Sequence, residues 1–341
     1  MPEKSLWRPA VLMLVLVVLV IGGWELYLRS SGIPLSYDNG KELWADKRAM
    51  IYEPADKATV FLGSSRIKYD LDIPTYEQTT GKHAIQLAAE GSSPLPILID
   101  LGKDRRFAGK VVVDITEEIF FSEAGPRGDR QGEFLAYYKS RTPAQRASFL
   151  LDHAIESQFV FLDDGFLSLN AEIAEHFPLP NRPGVFVFPL FPKEFQQCTF
   201  DRQDKMTPKF VADTSLQARV QRIWLVLMGM AKNAPRPKVD PVPGIIQEAV
   251  AAVDSIRARG GDVVFIRTPS SGQMFAIEGH AFPREKFWDP LLAATHSNGI
   301  YFLDYPEIAH FVCPEWSHLK PTDAIAYTKA LIPLLPKTFV Q

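Results

Sequence analysis

Thr59-Val60-Phe61-Leu62-Gly63-Ser64-Ser65-Arg66 is the stretch on which the fold turns. Residues 58–62 are apolar or β-branched, too few for a stable helix, and nearly continuous in hydrophobicity. That is the pattern of a strand buried on both faces of a parallel sheet. Gly63-Ser64-Ser65 then breaks the run with a tight turn, able to hold a hydroxyl at the C-terminal edge of the sheet. Four more runs of the same kind lie at residues 84–87, 110–115, 262–266 and 300–303. Helical periodicity separates them at 94–103, 243–259 and 285–296, and residues 322–335 close the chain with a further helix. The helix at 243–259 stops at Gly260-Gly261, a common helix terminator.

Strands alternating with helices predict a doubly wound, three-layer α/β/α fold with a five-stranded parallel sheet. In such sheets ligands bind beyond the C-terminal strand ends. The turns Gly63-Ser64-Ser65, Ala89-Glu90-Gly91, Thr116-Glu117-Glu118 and Arg267-Thr268-Pro269-Ser270 all follow expected strands, so they are expected on one rim. The alternation is lost over about 122–241, where aromatic-rich helical segments (134–138, 144–161, 215–231) and Pro-punctuated loops (178–192, 235–243) predict a mainly helical insertion capping the site. Residues 55–341 would form the domain carrying that insertion, and 29–54 a stalk.

Residues 9–24 carry no charge, and the apolar run continues to Leu28 with Glu25 as its one interruption. Twenty residues of helix span about 30 Å, the thickness of a bilayer core. Lys4 and Arg8 precede the run, so the positive-inside rule leaves residues 1–8 in the cytoplasm and the main domain outside, periplasmic in a Gram-negative cell. A cleaved signal peptide is the competing reading; Gly22-Gly23-Trp24-Glu25 makes a poor cleavage site. A net charge of −3 and the lack of a Lys/Arg run give no footprint for nucleic acid. The two cysteines, Cys198 and Cys313, have no metal spacing; an oxidising exterior would permit a bridge between them, and two buried thiols are the alternative. No metal, nucleotide or flavin motif occurs, and no cofactor is expected.

Far along the chain, Glu315-Trp316-Ser317-His318-Leu319 precedes the closing helix. A carboxylate three residues before an imidazole can orient it, and the imidazole can then take a proton from a serine. With the Gly-Ser-Ser turn, this resembles the SGNH (GDSL-like) hydrolase and acyltransferase superfamily, in its membrane-anchored extracytoplasmic branch. The resemblance spans about 200 residues outside the insertion. It implies Ser65 as nucleophile, His318 as general base and Glu315 as its orienting acid, with Asp304 as the fallback. It also implies an oxyanion hole from the amides of Ser65 and Gly91. The superfamily's Asn after the third strand is absent here, and Thr116 is the nearest substitute donor; Asp114 or Glu117 at that place would repel an oxyanion. Glu315 stands where Asp is usual.

Arg66, Arg267, Ser270 and Arg284 are candidates to meet an anionic or polyhydroxylated substrate, with Arg267 and Ser270 expected exposed on the rim. The implied activity is ester hydrolysis or O-acyl transfer on a cell-envelope or exported polysaccharide through an acyl-Ser65 intermediate. A membrane acyl-donor protein is a further implied partner. The missing Asn and the Glu for Asp leave open a catalytically silent glycan-binding or scaffold subunit, and a lipid esterase at the membrane surface is a third reading.

Overall fold

The computed structural model describes residues 6–122, 130–163, 167, 173, 177, 190–233 and 238–340. These form two compact units. One comprises the chain up to Asp38 together with 143–190, and the other comprises 39–142 with 191–341. The second unit holds the parallel sheet. Its strands are β1 (Ala58–Leu62), β2 (His83–Gln86), β3 (Lys110–Asp114), β6 (Asp262–Arg267) and β7 (Asn298–Tyr301), in the order β2-β1-β3-β6-β7. A two-residue antiparallel ladder, β4 (Gln197–Cys198) with β5 (Asp204–Lys205), stands apart from it.

All five expected strands form, each within two residues of its expected limits. Successive side chains of a strand point to opposite faces, so near-continuous hydrophobicity means two cores. Val60, Leu62, Val111, Val113, Val263 and Phe265 pack on one face against helices Lys41–Ala49, Leu95–Lys103, Val242–Arg257 and Trp288–Thr295. Phe61, Val112, Val264, Ile266 and Ile300 pack on the other against helices Ser65–Asp70, Ile73–Thr80 and Pro321–Leu331. The chain leaves β1 for β2 on one side, then crosses to β3 on the other. The C-terminal ends of β1 and β3 therefore flank a topological switch point, where a crevice opens in sheets of this class.

The expected stalk at 29–54 is corrected in its second half. Helix Lys41–Ala49 belongs to the sheet unit, with Trp44 and Ala45 fully buried and the Trp44 indole N–H donating to Leu87 O at 2.8 Å. Leu43-Trp44-Ala45 and Ile51 supply an apolar patch that the surrounding Lys and Glu residues disguise. The region expected as one insertion divides between the units. Helix Arg130–Ser140 and residues 191–233 belong to the sheet unit, whereas helix Pro143–Glu156 belongs with the N-terminal helix Trp7–Ser30. Most of the loop expected at 178–192, and residues 235–237 of that expected at 235–243, lie outside the described residues. Both cysteines are buried free thiols.

Helices Leu95–Lys103 and Val242–Arg257 cross at Gly102, where an added Cβ would sit 2.8 Å from the Ala252 Cα. A methyl group there must push one backbone away from the other. Gly102→Ala is expected to cost about 1–3 kcal/mol of stability, the usual range for an overpacked core. Denaturant unfolding of the purified chain measures it, and an unchanged midpoint would contradict the contact.

Candidate functional site

Gly63 ends β1 because nothing larger fits. A Cβ there would lie 2.7 Å from Ile67 Cγ2 and 2.9 Å from Asp114 Cβ. Ser64 is extended, and Ser65 opens the short helix Ser65–Asp70. Ser65 is half-buried, while its neighbours Ser64 and Arg66 are buried. Its hydroxyl oxygen lies 2.8 Å from His318 Nε2, although 253 residues separate the two.

On the other side of the imidazole, His318 Nδ1 is 3.0 Å from Glu315 Oε1. A carboxylate only accepts, so the proton sits on Nδ1 and leaves the Nε2 lone pair for the Ser65 hydroxyl. Glu315 and His318 are 0% and 1% exposed, so the carboxylate must find every partner within the protein. Its Oε1 also accepts the backbone N–H of His318 at 2.6 Å and of Ser317 at 3.2 Å. The loop reaches this shape through Trp316, whose φ of +82° is rare for a residue with a side chain. The Trp316 carbonyl accepts the Ser271 N–H at 2.8 Å, which pins the turn to the loop after β6.

Oε2 of Glu315 accepts the indole N–H of Trp224, from helix Thr214–Asn233. The longer Glu side chain thus folds back to its own loop while presenting a second oxygen to the helical segment above it. Trp224, Tyr69 and Phe195 surround the His318 ring at centroid distances of 5.8, 4.4 and 5.7 Å. None of these three was singled out from the sequence. An aromatic in an amphipathic helix is ordinary, and only the fold brings it to the imidazole.

The two other expected oxyanion donors stand differently. The Gly91 N–H donates to Ser64 Oγ at 3.0 Å. Thr116, just beyond β3, has a buried hydroxyl with no hydrogen-bond partner. Glu117 is fully committed and Asp114 only through one oxygen. Glu117 is buried and takes both carboxylate oxygens to Arg267 Nε at 2.9 Å. Asp114 Oδ1 accepts the Thr268 N–H at 3.2 Å, while Oδ2 has no partner.

The expected exposure of Arg267 and Ser270 is corrected. Arg267 is 1% exposed and is held between Glu117 and Glu278, and Ser270 is buried with its hydroxyl donating to Glu278 at 2.7 Å. Arg66 is likewise buried, bound to Glu278 and to Ser317 Oγ at 3.3 Å. Arg66 and Arg267 together hold the Glu278 carboxyl well below its usual range, against the opposing effect of burial. A buried guanidinium is costly unless its charge is paired, and Glu278, on helix Gly272–Ala281, pairs with two. Arg284 is partly exposed and paired with Asp289 and Asp304. Asp304 is thereby committed to Arg284.

A second buried ion group supports the Gly91 turn. Lys68 pairs with Glu90 and, at 2.9 Å, with Asp204 of β5, and Arg130 binds Glu90 Oε2 at 3.0 Å. Burial, followed by the neighbouring charges of Asp204 and Glu90, pushes the Tyr69 phenol well up, so it remains neutral beside the imidazole. Among the described residues, no group of three or more His, Cys, Asp or Glu side chains is placed to hold a metal. The sequence matches no family model, and no curated protein matches it significantly.

Burial raises the Asp114 carboxyl to about 6 despite the nearby Arg66 and Arg267. A folded-state value above the unfolded one favours the protonated folded form, so this contribution to stability is present at low pH. It is lost as pH rises through about 6. A rise of about two units corresponds to about 3 kcal/mol at most. Asp114→Asn retains an acceptor for Thr268 and removes the charge. The variant is expected to gain stability over the wild type by about 1–3 kcal/mol as pH rises from about 4.5 to 7.5. Parallel denaturation across that range tests this; a constant difference would contradict it.

Proposed function

We propose that this chain is a serine-dependent acyl-ester hydrolase or O-acyltransferase of the SGNH type, acting outside the cytoplasm on an acylated envelope polymer. The observation that carries this reading is the continuous relay from Ser65 Oγ through His318 to Glu315, at 2.8 and 3.0 Å. Ser65 Oγ attacks the ester carbonyl while His318 Nε2 takes its proton, and the buried Glu315 carboxylate stabilises the imidazolium. The tetrahedral intermediate collapses, and the departing alkoxide takes the proton from Nε2, leaving acyl-Ser65. Water or a sugar hydroxyl then attacks the acyl carbon and gives its proton to Nε2. The second collapse returns that proton to Ser65. The Ser65 amide and the Thr116 hydroxyl are donors for the oxyanion, each worth a few kcal/mol in the transition state; the Ser92 and Thr268 hydroxyls are likewise buried without a hydrogen-bond partner among the described residues. The aromatic walls around His318 limit water near the imidazole, which supports transfer to a hydroxyl over hydrolysis.

A silent glycan-binding subunit is the second reading, and one observation favours it: the Gly91 amide is already taken by Ser64. The two readings part on a serine-directed fluorophosphonate probe. The enzyme reading expects labelling of the wild type, none of Ser65→Ala, and loss of turnover of an activated acetyl ester by about 10³-fold or more in Ser65→Ala. Glu315→Gln is expected to lose activity by at least about 10²-fold, because the amide cannot stabilise the imidazolium. Equal labelling of wild type and Ser65→Ala, or none of either, would overturn the enzyme reading.

Helix Trp7–Ser30 is long and apolar enough to cross a membrane, with most of its side chains exposed. Its C-terminal turn supports an uncleaved anchor. Glu25 accepts the N–H groups of Val160 and Phe161 at 3.0 and 3.1 Å, and Leu28 is buried beside Val160 and Leu167. Cleavage ahead of Ser30 would strip these partners from the mature fold. A reporter joined after Gln341 is expected to be active only outside the cytoplasm, on a full-length, membrane-bound chain. Cytoplasmic activity would contradict the topology.

A further inference from the structure

Helix Pro143–Glu156 has an apolar face that the described residues leave exposed. Phe149, His153 and Glu156 turn inward, with His153 against the Tyr37 ring at 5.6 Å and Glu156 accepting the Asp38 N–H at 2.5 Å. At 100° per residue, Ala144, Ala147, Leu150, Leu151, Ala154 and Ile155 share an arc of about 140° on another side. All six are exposed, with Leu150 and Leu151 at 64% and 67%. Ser148, Gln145 and Asp152 border that arc on the polar side.

What covers this face follows from where the helix is tied. Two residues beyond its end, Gln158 O accepts from Arg29 Nη2 at 2.6 Å, and the next turn is hydrogen-bonded to Glu25. Residues 158–161 are therefore fixed to the last turn of Trp7–Ser30. If that helix spans the bilayer, this turn stands at the membrane–water boundary. Aromatic residues favoured at such boundaries gather there: Trp24 and Tyr27 are stacked at 5.5 Å and partly exposed, and Phe159 is 40% exposed beside Phe161. Ile155 and Leu151 lie four and eight residues before Phe159, Ile155 in the last turn of the helix.

We propose that helix Pro143–Glu156 lies on the leaflet at the C-terminal end of the span, with its Leu150–Leu151–Ile155 face at the boundary of headgroups and acyl chains. The chain thus grips the membrane twice, once across it and once along it. This inference rests on the reading of Trp7–Ser30 as a span, and the test separates the two. Single cysteines at Leu151, Gln145 and Val17 are labelled with an environment-sensitive fluorophore in the full chain reconstituted in phosphatidylcholine vesicles. The wild type serves as labelling control, since Cys198 and Cys313 are buried. Lipids carry a nitroxide quencher either near the headgroup or near the acyl terminus.

The expected result is strong quenching at Val17 by the deep nitroxide. Leu151 should be quenched by the shallow one at least about threefold more than Gln145. If Val17 is quenched and Leu151 is quenched no more than Gln145, the surface helix is overturned and the span stands. An emission from Leu151 that is blue-shifted but unquenched by either lipid means that protein, such as a second copy of this chain, covers the face, and overturns the proposal. A Val17 probe unquenched by either lipid overturns the span and the surface helix together.

Discussion

Charge removed from water has to be answered by the protein, and this requirement sets the position of the loops around the C-terminal edge of the sheet. Glu315 has no exposure and collects four hydrogen bonds, three from its own loop and His318 and one from Trp224. Arg66 and Arg267 share Glu278, and Lys68 is divided between Glu90 and Asp204. Each group draws partners from segments far apart in the chain. The loops after β1, β2, β3 and β6, the 313–319 turn and helix Thr214–Asn233 are therefore locked to one another by electrostatics as well as by apolar packing. Removing one partner would strand a buried charge, a far larger cost than loss of a surface ion pair.

The sheet was legible because its signal is local. Residues 58–62 and 110–114 are hydrophobic on both faces of the strand, and only burial on both faces accounts for that. The Ser65, His318 and Glu315 positions were legible for a related reason: a glycine-serine turn after a strand, and an acid three residues before a histidine, are short-range patterns. Partnership across the fold was not legible. Arg267 reads in sequence as a rim cation because nothing near it reveals Glu117, 150 residues earlier. Trp44 reads as part of a linker because its burial depends on Leu87 and Phe134, which only the fold brings near.

The Ser64–Gly91 hydrogen bond shows how adjacent serines divide two tasks. Ser65 points to the imidazole, and Ser64 ties the loop after β2 to the turn after β1. The helix that begins at Ser65 carries Lys68, which binds Glu90 beside Gly91, so the same two segments are joined twice. Around this rigid joint, the hydroxyls of Ser92 beside Gly91, Thr116 beyond β3 and Thr268 beyond β6 are buried without a hydrogen-bond partner among the described residues.

The separation of 253 positions between Ser65 and His318 also orders events in time. Ser65 follows the first strand to emerge from synthesis, whereas His318 follows the last strand of the sheet and directly precedes helix Pro321–Leu331. Contacts so distant in sequence form slowly, since a long loop must close before any energy is gained. No fragment ending before residue 318 contains that imidazole, and helix Pro321–Leu331, just beyond it, packs against helix Ser65–Asp70. A chain caught partway through synthesis therefore carries the Ser65 hydroxyl without the imidazole that will neighbour it. The hydroxyl–imidazole contact can exist only once the last segment has arrived, a dependence that comes from chain order alone.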